Sequence, residues 1–84
     1  MAHYYFSLDE CGRTFGDEEG QEHDSIEAAR QAAMTAARGI MADEVRKGKL
    51  CLGCCIIVLD DEQQEVFRLP FRDAVTISNL RPAI

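Results

Sequence analysis

One alanine-rich stretch without proline, residues 25–47, constrains the fold of this chain more than any other feature. Its apolar side chains recur at three- and four-residue steps, which is the spacing of one helical face. At 1.5 Å per residue the predicted helix is about 35 Å long, which is long for a small domain. Because most side chains on this face are small, the helix can lie close to a sheet. The face comprises Ile26, Ala29, Ala33, Ala37, Ile40 and Met41.

Capping signals are present at both ends of this helix. Ser25 is a good N-cap, and Asp24 followed by Glu27 also fits a capping box. Gly48 follows two cations and is typical of the glycine just past a helix end. We therefore expect the helix to end at Lys47.

Segments of strand character lie on both sides of the helix. The first alternates aromatic and polar residues, and the third is a continuous apolar run rich in β-branched residues. They are residues 3–8, 13–15, 54–59 and 64–69. The order β-β-α-β-β predicts an α+β fold, an antiparallel sheet of three to four strands with one long helix on one face. We expect a single domain over 1–84, with an ordered core over about 3–77 and a C-terminal tail over 78–84.

Charge and hydropathy exclude several classes of partner. The net charge is −6, and a domain that binds nucleic acid or an anionic membrane usually shows a basic face. The longest uncharged apolar stretch has about half the ~20 residues that a membrane-spanning helix needs. No signal-peptide pattern opens the chain, so we expect a cytoplasmic protein with neither nucleic-acid nor membrane partners.

Several short motifs occur in an order and spacing that are similar to a known family. They are Tyr4-Tyr5-Phe6, Asp17-Glu18-Glu19-Gly20, Glu27-Ala28-Ala29-Arg30, the helix end from Ile40 to Gly48, and Leu69-Pro70-Phe71-Arg72-Asp73-Ala74-Val75. Over residues 4–77 the chain resembles small bacterial proteins classed as domain of unknown function 6894. The resemblance implies a fold and a bacterial origin, because that family has no established activity to carry over.

The chain departs from the family pattern at two places. The family usually has glycine in the last hairpin turn, where this chain has Gln63. The family also alternates polar residues through its third strand, where this chain has Ile57 and Leu59.

Four cysteines, Cys11, Cys51, Cys54 and Cys55, raise the possibility of a metal site. The C-x-x-C spacing of Cys51 and Cys54 suits two ligands of a tetrahedral zinc ion. A closed site needs two further ligands, and no second pair is present, so we expect thiols, no metal and no cofactor. A redox role is also disfavoured, because the pair precedes a strand and not a helix whose dipole would activate a thiol.

Two other groups of polar residues have simple structural explanations. His23-Asp24-Ser25 contains the residue types of a hydrolase triad, but triads assemble from distant positions, and a helix N-cap explains it better. The acidic run Asp17-Glu18-Glu19 lacks the alternation of a calcium loop and is expected to be a solvated turn. We therefore expect no enzyme.

Alternation along the third strand predicts an apolar surface on the sheet face away from the helix. If Ile56 and Val58 face the helix, then Ile57 and Leu59 face outward, beside Tyr5. Such a patch marks a partner surface, unless the tail through Ile84 folds over it.

These observations favour a non-catalytic interaction module that binds another protein or forms a homodimer. One alternative is an antitoxin-like regulator with a toxin partner, because the sheet and the helix opening Ser25-Ile26-Glu27-Ala28 loosely resemble the HicB antitoxin fold. Another alternative is a small zinc-binding protein that uses the cysteines.

Overall fold

The computed structural model describes residues 2–10 and 12–78. Its elements follow the expected α+β order. They are β1 (Ala2–Glu10), β2 (Arg13–Phe15), β3 (Gln21–His23), α1 (Ile26–Arg46), β4 (Cys55–Leu59), β5 (Glu65–Pro70) and a short 3₁₀ turn (Phe71–Asp73). Cys11 and residues 79–84, most of the predicted tail, lie outside the described residues.

All strand pairs are antiparallel, in the order β2-β1-β4-β5, and β3 also pairs with β1. β2 and β3 share one edge of β1. β2 pairs with its second half, Leu8 opposite Phe15, and β3 pairs with its first half, Tyr4 opposite Gln21. The sequence analysis did not predict β3. Three polar residues carry no strand signal, and β3 forms because the long β1 offers an unpaired edge.

The helix begins and ends close to where its caps predict. Ser25 is the N-cap, and its Oγ accepts the backbone N–H of Ala28 at 3.1 Å. The alternative cap, Asp24, is not used. Lys47 is the C-cap, and Gly48 has φ +83°, a left-handed conformation in which glycine avoids the clash of a side chain.

The core lies between one helical stripe and one face of the sheet. Ala29, Ala33 and Ala37 are fully buried, and Met41 is 5% exposed. Ile26, expected on the same stripe, is the first residue of the helix and is 51% exposed. Tyr4, Cys54, Ile56, Val58, Leu69, Phe71 and Ala74 complete the buried cluster.

Contacts beyond the strands attach the C-terminal segment to this core. Phe71 is fully buried, and its N–H donates to the carbonyl of Cys54 at 2.9 Å. Arg38 Nε donates to the carbonyl of Ala74 at 2.7 Å, which ties the middle of α1 to the 3₁₀ turn. No helix within 2–10 and 12–78 has the length and hydropathy needed to cross a bilayer.

Candidate functional site

The expected partner surface lies on the face of the sheet opposite α1. We call it the open face and define it by seven residues that alternate with the core residues along β1, β4 and β5. They are Tyr5, Ser7, Asp9, Cys55, Ile57, Leu59 and Arg68. The register brings all three sequence-predicted interface candidates onto this face. Tyr5 is directly opposite Leu59, and Ser7 is directly opposite Ile57.

Burial on the open face differs from the sequence expectation in degree. Tyr5, Ile57 and Leu59 are half-buried, and Ser7 between them is 9% exposed. Directly opposed side chains on β1 and β4 are close enough to contact one another. Tyr5, Ile57 and Leu59 therefore form an apolar strip within the open face.

Charged side chains border this strip. Arg68, opposite Ile57 on the edge strand, pairs with Glu65 at 3.1 Å. The hydrogen bond and charge of Glu65, with the nearby Asp9 and Cys55, raise the pKa of Arg68, so it remains a cation. On the other side, Cys55 Sγ lies 3.9 Å from Asp9 Oδ2. The open face thus carries charges of both signs around an apolar centre.

The acidic segment is organised by one of its carboxylates. Asp17 accepts the backbone N–H groups of Phe6 at 3.0 Å, Glu19 at 3.2 Å and Gly20 at 3.0 Å. The Phe6 amide lies in the gap between the β2 and β3 pairings, so Asp17 supplies the acceptor that a strand would supply. Partial burial by itself would raise the pKa of Asp17, but these three hydrogen bonds and the nearby His3 lower it.

The expectation of a wholly solvated turn was therefore wrong for Asp17, whereas Glu18 and Glu19 are exposed. Gly20 explains why the loop can close. It has φ +70°, and a Cβ there would lie 2.5 Å from His3 Nε2 and 2.7 Å from the Tyr4 carbonyl. An aspartate followed three residues later by glycine is the sequence signal that identifies such a turn.

The cysteines divide between two sides of the sheet. Cys54 is fully buried in the core, and its Sγ donates to Cys51 Sγ at 3.0 Å. Cys55, the next residue, lies on the open face. Cys11 lies outside the described residues. Within 2–10 and 12–78, no three His, Cys, Asp or Glu side chains are placed to hold a metal ion.

The His23-Asp24-Ser25 sequence forms the start of the helix. Ser25 Oγ is occupied as the helix cap, and His23 Nε2 is 3.0 Å from Gln21 Oε1. The His23 ring lies near the aromatic rings of Tyr4 and Phe6, at 6.3 and 5.8 Å between centroids. Ser25 thus has the N-cap role that the sequence predicts, and His23 is the last residue of β3.

The sequence analysis missed a second apolar surface at the C-terminal end of α1. Val45 is 59% exposed and Leu50 is 50% exposed, and both line a shallow hollow with Gly48 and Lys49. Val45 lies off the buried stripe of the helix, so an unpaired valine on the polar face was the available signal.

Comparison with known proteins identifies the family. No curated protein and no solved structure matches the chain. The sequence model of one family, Domain of unknown function (DUF6894), matches residues 3–72, from β1 into the 3₁₀ turn. This range includes the open face, the Asp17 loop and the Cys51–Cys54 pair, and the chain therefore belongs to the DUF6894 family.

Proposed function

We propose that this protein is a non-catalytic interaction module that pairs with a second copy of itself through the open face. The observation that carries the proposal is the register of β1 and β4, which places Tyr5 beside Leu59 and Ile57 beside Ser7 on the face away from the helix. Covering these half-buried side chains completes their burial, and each aliphatic one then gains about half of the ~1.5–3 kcal/mol that fully burying an exposed side chain contributes. Two-fold pairing is the commonest assembly of soluble proteins.

The charges around the strip favour a second copy over an unrelated partner. A two-fold axis parallel to the strands would set β1 of one copy over β5 of the other. Arg68 of each copy would then approach Asp9 and Tyr5 of its partner. In this arrangement the cation of each copy would lie opposite the anion and the aromatic ring of the other copy, so the patch is complementary to itself.

The size of the face sets the expected affinity. Three strands ~4.8 Å apart and about five residues long span roughly 15 by 17 Å. That is about 250 Å² per copy and about 500 Å² for both, below the ~1,200 Å² at which stable interfaces begin, so we expect a weak, reversible dimer with a dissociation constant of about 100 μM.

Sedimentation equilibrium over about 1 μM to 1 mM tests the proposal across the expected affinity range. The wild type should approach twice the 9.4 kDa mass of one chain. Ile57→Lys and Leu59→Lys should each remain monomeric, because they bury a charge in the interface. Ile26→Lys is the matched control, since Ile26 is an exposed aliphatic residue outside the open face.

A wild type that stays monomeric throughout would refute self-association, and a dimer that tolerates both lysines would place the interface elsewhere. Circular dichroism verifies that each variant is folded. Charge reversal tests the proposed axis: Arg68→Asp and Asp9→Arg should each weaken the dimer, and the double variant should recover it.

A further inference from the structure

We propose that Cys51 and Cys54 form a thiol–disulfide exchange site that takes low-molecular-weight disulfides as its oxidising substrate. The proposal is independent of the open face, because both sulfurs lie away from it. It departs from the sequence expectation against a redox role, which considered only the lack of a helix dipole. It rests on the distance between the two sulfurs, on their unequal exposure and on the backbone that holds them.

The two sulfur atoms are 3.0 Å apart. A disulfide bond is about 2.0 Å long, so bond formation requires an approach of only about 1 Å. Only Leu52 and Gly53 lie between the two cysteines, so a short turn before β4 places the two sulfurs close together. No strand has to move for the bond to form.

Backbone hydrogen bonds hold this turn at both ends. The N–H of Cys51 donates to Glu44 Oε1 at 3.1 Å, which attaches it to the last turns of α1. The carbonyl of Cys54 accepts the N–H of Phe71 at 2.9 Å, which attaches it to the buried 3₁₀ turn. The sulfurs are therefore positioned by the fold and not by loop motion.

Exposure assigns a different role to each cysteine. Cys51 is half-buried, whereas Cys54 is fully buried, so Cys51 is the more accessible of the two. In disulfide exchange the accessible thiol attacks first, and a second thiol nearby resolves the intermediate. Cys51 is the attacking residue, and Cys54 is the resolving residue.

The reaction balances with one disulfide, RSSR. The Cys51 thiolate attacks one sulfur of RSSR, which forms a Cys51–SR mixed disulfide and releases RS⁻, and RS⁻ takes up the proton that Cys51 lost. Cys54 then loses its proton to water and attacks Cys51 Sγ, which forms the Cys51–Cys54 bond and expels a second RS⁻ that is protonated in turn. The protein loses two electrons, and RSSR gains them as it becomes two RSH.

Oxidised glutathione is the probe, and intact-mass spectrometry with thiol alkylation and peptide mapping is the measurement. Treated wild type should lose two hydrogens, with the new bond mapped to Cys51 and Cys54, and reduced glutathione should reverse it. Cys54→Ser should instead accumulate the glutathione adduct on Cys51. Cys51→Ser should form an adduct on Cys54 at least about tenfold more slowly, because exchange requires access to the sulfur.

Cys55→Ser is the control, and it should form the Cys51–Cys54 bond at the wild-type rate. The proposal fails if folded wild type keeps both thiols under oxidised glutathione. It also fails if the bond maps to another pair, or if Cys51→Ser reacts on Cys54 as fast as Cys54→Ser reacts on Cys51. Because Cys54→Ser alters a buried site, Cys54→Ala provides a second variant, and circular dichroism verifies the fold of both.

Discussion

Replacing Asp17 by alanine should destabilise the protein far more than replacing its neighbour Glu18. Asp17 accepts three backbone N–H groups, from Phe6, Glu19 and Gly20. Alanine removes all three acceptors and leaves the Phe6 amide without an acceptor in the gap between β2 and β3. Glu18 is an exposed residue of the same charge in the same loop, so Glu18→Ala controls for the loss of one negative charge.

The magnitude follows from the surroundings of each donor. A hydrogen bond to a charged group contributes ~1.5–3 kcal/mol when it is not replaced by water. The Phe6 and Gly20 bonds are partly buried, and the Glu19 bond is exposed, so water recovers much of the last. We expect a loss of about 2–3 kcal/mol, against ~4–13 kcal/mol for the whole domain. For a domain of this size the melting temperature should fall by roughly 10–20 °C.

The pH dependence of this loss provides a second measurement. The bonds to Phe6, Gly20 and Glu19, together with His3, outweigh the opposing effect of burial and lower the pKa of Asp17. A carboxylate whose pKa is lower in the folded state stabilises the protein above its unfolded pKa of about 4. That contribution disappears as the pH falls through the folded pKa, so wild type and Asp17→Ala should converge in stability below about pH 4.

Chemical denaturation at neutral pH and at several acidic pH values measures both quantities. When the free energy of unfolding of Asp17→Ala is subtracted from that of the wild type, the contributions of all other carboxylates largely cancel. The reasoning is refuted if Asp17→Ala costs no more than Glu18→Ala, or if the wild-type advantage is the same at pH 7 and at low pH.

Three further predictions concern stability, and thermal melts measure each of them. Gly20→Ala should cost more than Gly12→Ala, because both have positive φ but only at Gly20 does a Cβ meet the Tyr4 carbonyl; equal losses would contradict the close approach. Gln63→Gly should stabilise by about 0.5–1 kcal/mol, because Gln63 has φ +63°, and no gain would show that this conformation is not strained. Ile56→Ala should cost ~2–5 kcal/mol, because Ile56 is 3% exposed in the core, and a loss below that of Glu18→Ala would misplace the core.

Most of the correct expectations rest on residues that are close to one another in the sequence. The helix and its ends depend on spacing, on Ser25 and on Gly48, which act within a few residues of themselves. The two faces of β4 follow from alternation, which a strand imposes whatever packs on it. The sequence analysis made no prediction of the positive φ that Gln63 adopts.

Contacts between distant segments decided what the sequence could not determine. β3 forms only because β1 presents an edge to it, and Asp17 matters only because that edge leaves the Phe6 amide unpaired. Ile26 fits the helical stripe, but it is the first residue of α1 and is 51% exposed. Periodicity records which side chains share a face, whereas only the folded chain decides what covers that face.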